Sequence, residues 1–133
     1  MYDIFDANEL LFKALNKASI KAIINGEVLN DGRPINSLKE DIVVNTITIS
    51  QTTKPQIATS NINCYVLDAE EGVKNTNRLK VISRKVIEEF KNTEFIGKSV
   101  FILSQNIIQE TNNKEHYVNI RIQWMIYDTK TIN

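Results

Sequence analysis

The stretch that most constrains this chain lies near its end, from Tyr117 to Tyr127. Val118, Ile120, Ile122, Trp124 and Ile126 fall on one side of an extended backbone; Asn119, Arg121 and Gln123 fall on the other. A sustained period of two is the mark of a strand with one buried and one wet face. Such a strand cannot stand alone. It needs neighbours for its backbone groups and an apolar layer for Trp124 and the isoleucines.

The rest of the sequence supplies both. Ser99 to Gln109 reads as a long strand, joined to the last one by a polar tip, Glu110 to His116. Gln56 to Leu67 reads as another, with Ala58, Ile62, Cys64 and Val66 on one face and Thr59, Asn61 and Asn63 on the other. Asp41 to Ser50 is a strand in which Val43, Ile47 and Ile49 point one way and Ile42, Val44, Thr46 and Thr48 the other. The breaker Gln51 to Pro55 ends it, and Asn36 to Glu40 reads as the loop before it. Further upstream, Lys21 to Leu29 contains Asn25-Gly26, the pair favoured in a two-residue type I′ hairpin turn, which predicts a short hairpin.

Two segments have helical period. Asp6 to Ser19 places Leu10, Leu11, Ala14, Leu15 and Ala18 on one face, with Asp6 and Glu9 at capping-box spacing and Phe5 and Leu10 at staple spacing. After the acidic turn Asp68 to Asn75, Thr76 to Lys91 places Leu79, Ile82, Val86 and Phe90 together, widened by Ile87. Short turns between strands favour antiparallel pairing. The expectation is one α+β domain over residues 1–133: a mainly antiparallel sheet of about five to six strands packed against two helices.

Charge and composition narrow the function. The chain has 133 residues, with 16 basic and 16 acidic side chains and no net charge. A nucleic-acid binder ordinarily shows a basic excess, so the balance argues against that class. The single cysteine, Cys64, forbids an internal disulfide. Asp3, Asp6 and Glu9 precede any basic residue, unlike a secretory signal, and no run is apolar enough for a membrane span.

His116 falls in the polar tip, where a general base lacks a held partner, and is expected to be a solvent-exposed turn residue. Cys64 falls on the apolar side of its strand and reads as a small buried hydrophobe. One Cys and one His are too few for zinc. Asp68, Glu70 and Glu71 cluster in a turn without EF-hand spacing and read as a solvated acidic turn. Neither a Walker A pattern nor G-x-G-x-x-G is present, and Gly26, Gly32, Gly72 and Gly97 all fall in turns, where positive φ accounts for them. On the second helix, Lys80, Arg84 and Lys91 flank one side of the apolar face and Lys74, Arg78 and Lys85 the other; an acidic partner surface or a nucleic-acid backbone would suit them, but Glu88 and Glu89 stand four residues after Arg84 and Lys85 to pair with them, and the row reads as a solvated helix face. The aromatic residues do not line up as a stacking platform. No catalytic set, cofactor or metal site is expected.

The order of elements resembles the tail-terminator and tail-completion proteins of long-tailed phages and prophages, which join head and tail. The opening helix, the hairpin, Ile62-Asn63-Cys64-Tyr65-Val66-Leu67-Asp68 before the second helix, and the closing strands with Ser99-Val100-Phe101-Ile102-Leu103 and Ile120-Arg121-Ile122-Gln123-Trp124 carry the resemblance. The short hairpin Lys21 to Leu29 departs from the usual pattern. The resemblance implies a structural protein without catalysis, forming a homo-oligomeric ring whose partners are itself, the tail tube and the neck proteins. It also implies a place in the bacterial host cytoplasm during assembly and then in the virion. Contacts are expected at polar positions on loops and the wet strand face: Thr52, Lys54, Asn61, Asn63, Asn112, Asn113, Lys114 and Glu115. Two rivals belong to other classes: a small α+β hydrolase or isomerase with a pocket between sheet and helices, and a monomeric adaptor that binds a peptide at a sheet edge.

Overall fold

The computed structural model describes residues 1–130. Its elements are α1 (Ile4–Leu15), α2 (Ala18–Lys21), β1 (Val28–Asn30), β2 (Ile42–Ile49), β3 (Gln56–Leu67), α3 (Thr76–Lys91), β4 (Lys98–Glu110) and β5 (Glu115–Ile126). The five strands form one sheet in the order β1-β2-β3-β5-β4. All neighbours are antiparallel except β1 and β2, which run parallel. The fold is α+β, as the periodicities predict.

The first helix starts earlier and stops sooner than its pattern suggests. Asp3, not Asp6, is the N-cap: its carboxylate accepts from the Asp6 amide at 2.9 Å, and the Asp6 carboxylate accepts from the Asp3 amide at 2.8 Å. Either aspartate has the chemistry of a cap, and the reciprocal pair decides which one serves. Phe5 is no staple; it is 68% exposed. At Asn16 the backbone leaves the helical region (φ −79°, ψ 62°), so the expected end at Ser19 becomes the separate turn of α2.

The expected hairpin at Asn25-Gly26 does not form. Asn25 turns to Glu40, and Glu27 to Asp41, instead of folding the chain back. Its carboxamide oxygen accepts from the Glu40 amide at 2.7 Å, while the Asp41 carboxylate accepts from the Glu27 amide at 3.0 Å. Gly26 owes its place to this close approach and not to a positive φ, because a Cβ there would collide with Asp41 Oδ1 and Glu40 O. Tied down in this way, Val28–Asn30 runs parallel to β2, and the connection 31–41 carries the chain back to the start of β2.

The strand faces mostly follow parity. In β2 an extra residue between Thr46 and Thr48 shifts the register. Ile42, Val44 and Thr46 face the helices before it, Ile49 opposite Ala58 faces them after it, and Ile47 is left 54% exposed. The expected grouping of Val43, Ile47 and Ile49 therefore fails at the bulge.

Both long helices lie on one face of the sheet. α1 packs over β1, β2 and β3, and α3 over β3 and β5. Between them and the sheet sit Leu11, Leu15, Ile42, Ile62, Leu79, Ile82, Ile120, Ile122 and Trp124, each essentially sealed from water. Trp124 meets Phe95 edge-on at 5.2 Å between centroids. Its indole N–H donates to Ser60 Oγ at 2.9 Å, and Ser60 shares a hydrogen with Thr46 at 2.7 Å. Three polar groups in the middle of the core are thus mutually satisfied, which is the condition for burying them.

Two substitutions test this core. Trp124→Ala should lower stability in a urea titration by about 3–5 kcal/mol, the usual range for a large buried aromatic. Ser60→Ala removes few atoms but strands the indole N–H and the Thr46 hydroxyl, and should cost about 1–3 kcal/mol. A loss near zero for either would contradict the strand register.

Candidate functional site

The two sheet edges differ in length and cover. β1 is a three-residue edge flanked by α1. β4 is a thirteen-residue edge along which most residues are exposed. Between its terminal Lys98 and Glu110 there is no charge, and Phe101, Leu103, Ile107 and Ile108 are 39% to 50% exposed. A bulge between Ile102 and Ser104 breaks its regularity. Proteins that keep such edges solitary blunt them with charge, proline or brevity; here only the bulge is present.

The sheet face opposite the helices is polar in its centre. Asn61 donates to Asn45 at 3.0 Å, Asn119 donates to Asn61 at 3.1 Å and to Asn63 at 2.8 Å, and Arg121 Nε donates to Asn61 at 3.2 Å. The predicted contact residues Asn61 and Asn63 therefore belong to a carboxamide ladder across β2, β3 and β5, and Asn61 is 7% exposed. Thr52 and Lys54 lie in the exposed turn between β2 and β3, where Lys54 Nζ donates to the Asp128 carbonyl at 3.0 Å. Asn112, Asn113 and Lys114 form the turn between β4 and β5, with Lys114 at φ 53° and 3.9 Å from Glu71.

Glu115 does not belong with them. It is the first residue of β5, has no exposed surface, and accepts two hydrogen bonds from Arg33, at 2.6 and 3.1 Å. Arg33 is the pin of the 31–41 connection. Its Nε donates to Asp41 at 2.9 Å, its Nη2 to the Lys39 carbonyl at 2.9 Å, and its guanidinium lies 4.0 Å over the ring of Tyr65. Tyr65 in turn leans on Tyr117, with centroids 4.7 Å apart. Burial pushes the Asp41 carboxyl up, but the Ser37 hydroxyl, Arg33 and the Glu27 amide outweigh it and hold it below its usual range. Burial likewise works to lower Arg33, and Glu115 and Asp41 outweigh that and raise it. Gly-Arg-Pro reads in the sequence as turn chemistry alone; a partner 82 residues away leaves no local signal.

His116 is also misplaced by the sequence reading. It is the second residue of β5, 8% exposed, and its Nδ1 lies 2.6 Å from Asp68 Oδ1. Strand parity could have found it, because His116 continues the inward series Val118 and Ile120, and Asp68 continues Cys64 and Val66. Asp68 thus serves the sheet end instead of a solvated turn. Cys64 is fully buried, and burial pushes its thiol up to about 12, far from the thiolate a nucleophile needs. Among the described residues no group of three or more His, Cys, Asp or Glu is placed to hold a metal ion. Among the same residues no helix is long and apolar enough to cross a membrane.

No protein-family model matches the sequence, and no curated protein matches it either.

Arg33 is the point at which to test this end of the molecule. Arg33→Met should cost about 3–5 kcal/mol in chemical denaturation, because it leaves two buried carboxylates unpaired. Arg33→Lys should recover only part of that, since an ammonium cannot bridge Glu115 and Asp41 in the same plane. Asp41, with its folded pKa depressed, contributes stability that is complete above its ordinary value of 3.8 and is lost as pH falls through the depressed value. The stability gap between wild type and Asp41→Asn should therefore close on acidification below 3.8 and stay open at neutral pH.

Proposed function

We propose that this chain is a structural assembly protein of a phage or prophage, a ring-forming tail terminator or head–tail joining component. It acts by shape and contact, with no catalytic step. The observation that supports the reading best is β4, a long edge strand with no charge between its ends and left open on the side away from β5. A neighbouring subunit that covers this edge satisfies its free backbone groups and shields Phe101, Leu103 and Ile108. The other side of each subunit ends at β1, so a contact joining unlike sides repeats head to tail and closes into a ring when the rotation permits. Thr52, Lys54, Asn112, Asn113 and Lys114, in exposed or half-exposed turns, are the polar positions that would meet the tail tube and neck proteins. On this reading the chain works in the bacterial host cytoplasm during assembly and then in the virion.

The open edge also suits a monomeric adaptor that adds a peptide strand to its sheet. Solution mass and particle morphology separate the two. Deleting the gene from the phage or prophage that carries it should leave free heads beside overlong or unattached tails under the electron microscope; normal virions would contradict the proposal. At the level of the edge, Leu103→Lys with Ile108→Lys should abolish self-association in analytical ultracentrifugation while leaving the melting curve within about 0.5 kcal/mol of wild type, because both side chains are exposed. Assembly that survives both lysines would place the subunit contact elsewhere.

A further inference from the structure

The helix layer stops one strand short of the sheet. α3 packs over β3 and β5, and past it the helix-side face of β4 is only partly covered. Val100 and Ile102 there are only half-buried, and Ile107 is 48% exposed. A groove runs between α3 and β4. It holds about 290 Å³ at the end between Leu79 and Ile107 and about 440 Å³ at the end between Phe90 and Ile102, with Gln105 lining both.

The groove has a charged rim. Lys80 and Lys91 line it, and Arg84 continues their row one helical turn from Lys80. All three are exposed. The carboxylates of the same helix are committed elsewhere: Glu88 and Glu89 pair with Lys85, and Glu89 also meets Lys17. Among the described residues no ion pair involves Lys80, Arg84 or Lys91. The result is a floor of Leu79, Ile102 and Ile107, interrupted by Gln105 and bordered by three cations that have no ion-pair partner among the described residues.

We propose that this groove receives an amphipathic helix from another protein, one whose apolar stripe is bordered by carboxylates. The position is where the next helix of the layer would lie, since helices pack about 8–10 Å apart and α3 stands alone on this side. A helix seated there puts its i, i+3, i+4 and i+7 apolar positions against Ile102, Ile107 and the flank of α3. Its acidic border then meets Lys80, Arg84 and Lys91. A second copy of this chain does not fit the description. The apolar stripes of α1 and α3 are already buried on their own sheet through Leu11, Leu15, Leu79, Ile82 and Val86. The site is on the face of β4 and leaves its backbone edge free, so this inference stands apart from the edge contact of the ring.

The test uses the full chain and a labelled synthetic helix of about five turns, with leucine at i, i+3, i+4, i+7 spacing and glutamate along both borders. A control peptide carries lysine in place of glutamate. Fluorescence anisotropy should show the glutamate peptide binding the wild type and the lysine peptide failing to bind. Lys80→Glu, Arg84→Glu and Lys91→Glu together should weaken the glutamate peptide by roughly tenfold or more and admit the lysine peptide. Ile107→Glu, at an exposed floor position, should weaken the glutamate peptide with an unchanged melting curve. Failure of the wild type to bind the glutamate peptide, equal binding of both peptides, or indifference to the charge reversal would overturn the proposal. Loss of self-association in the charge-reversed chain would also overturn it, by assigning the groove to a second copy.

Discussion

Twelve residues of β3 face twelve of β5 without interruption, from Gln56 opposite Ile126 to Leu67 opposite Glu115. This pairing sets both faces of the molecule at once. On the helix side it aligns Ala58, Ser60, Ile62, Cys64 and Val66 with Trp124, Ile122, Ile120, Val118 and His116, which is the floor of the core and the Asp68 contact together. On the other side it aligns Asn61 and Asn63 with Arg121 and Asn119, which is the carboxamide ladder. A slip of one residue would turn the isoleucines to water and the asparagines into the core, so the register is held by the energetics of both faces. Each end of the pair is then tied. At one end the fully buried Gln56 accepts from the Tyr2 amide at 2.9 Å and donates to the Tyr2 and Ser50 carbonyls. At the other, Glu115 receives the fork of Arg33.

The neighbours of that central pair make the molecule lopsided. Toward β1 the chain is closed by α1, by the 31–41 connection and by the Arg33 pin. Toward β4 it is open twice over, at the backbone edge and on the face beside α3. The two openings differ in chemistry. The edge is uncharged and extended, which suits a backbone partner, while the groove is apolar with a cationic border, which suits a helix bearing carboxylates. Cys64 and the Asp68-held His116 lie in the interior behind those surfaces.

Much of this was legible in the sequence where one periodicity ruled over many residues. The bounds of β3 and α3 follow directly from alternation at Ala58, Ile62, Cys64 and Val66 and from the helical spacing of Leu79, Ile82, Val86 and Phe90. The failures lie where a distant group overrode a local preference. Asn25-Gly26 has every local reason to form a hairpin, yet Glu40 and Asp41 hold it and redirect the chain into a parallel edge. Glu115 and His116 look like part of a polar tip, yet Arg33 and Asp68 draw both into the sheet. Asn61 and Asn63 look free for a partner, yet Asn45 and Asn119 occupy them. The bulge at Ile47 turns over the last two residues of β2, and nothing in Thr46-Ile47-Thr48 marks it.

If the chain works by assembly, the β4 edge is covered in the assembled state. Hydrogen–deuterium exchange of the β4 amides, followed in the free chain and again in assembled rings or particles, tests it most directly. In the free chain the amides of β4 that point away from β5 should exchange rapidly while those of β3 and β5 stay protected. In the assembled state the β4 amides should become protected along the segment from Ser99 to Gln109. Unchanged, rapid exchange throughout β4 in an assembled state that protects some other surface would show that subunits do not meet at this edge.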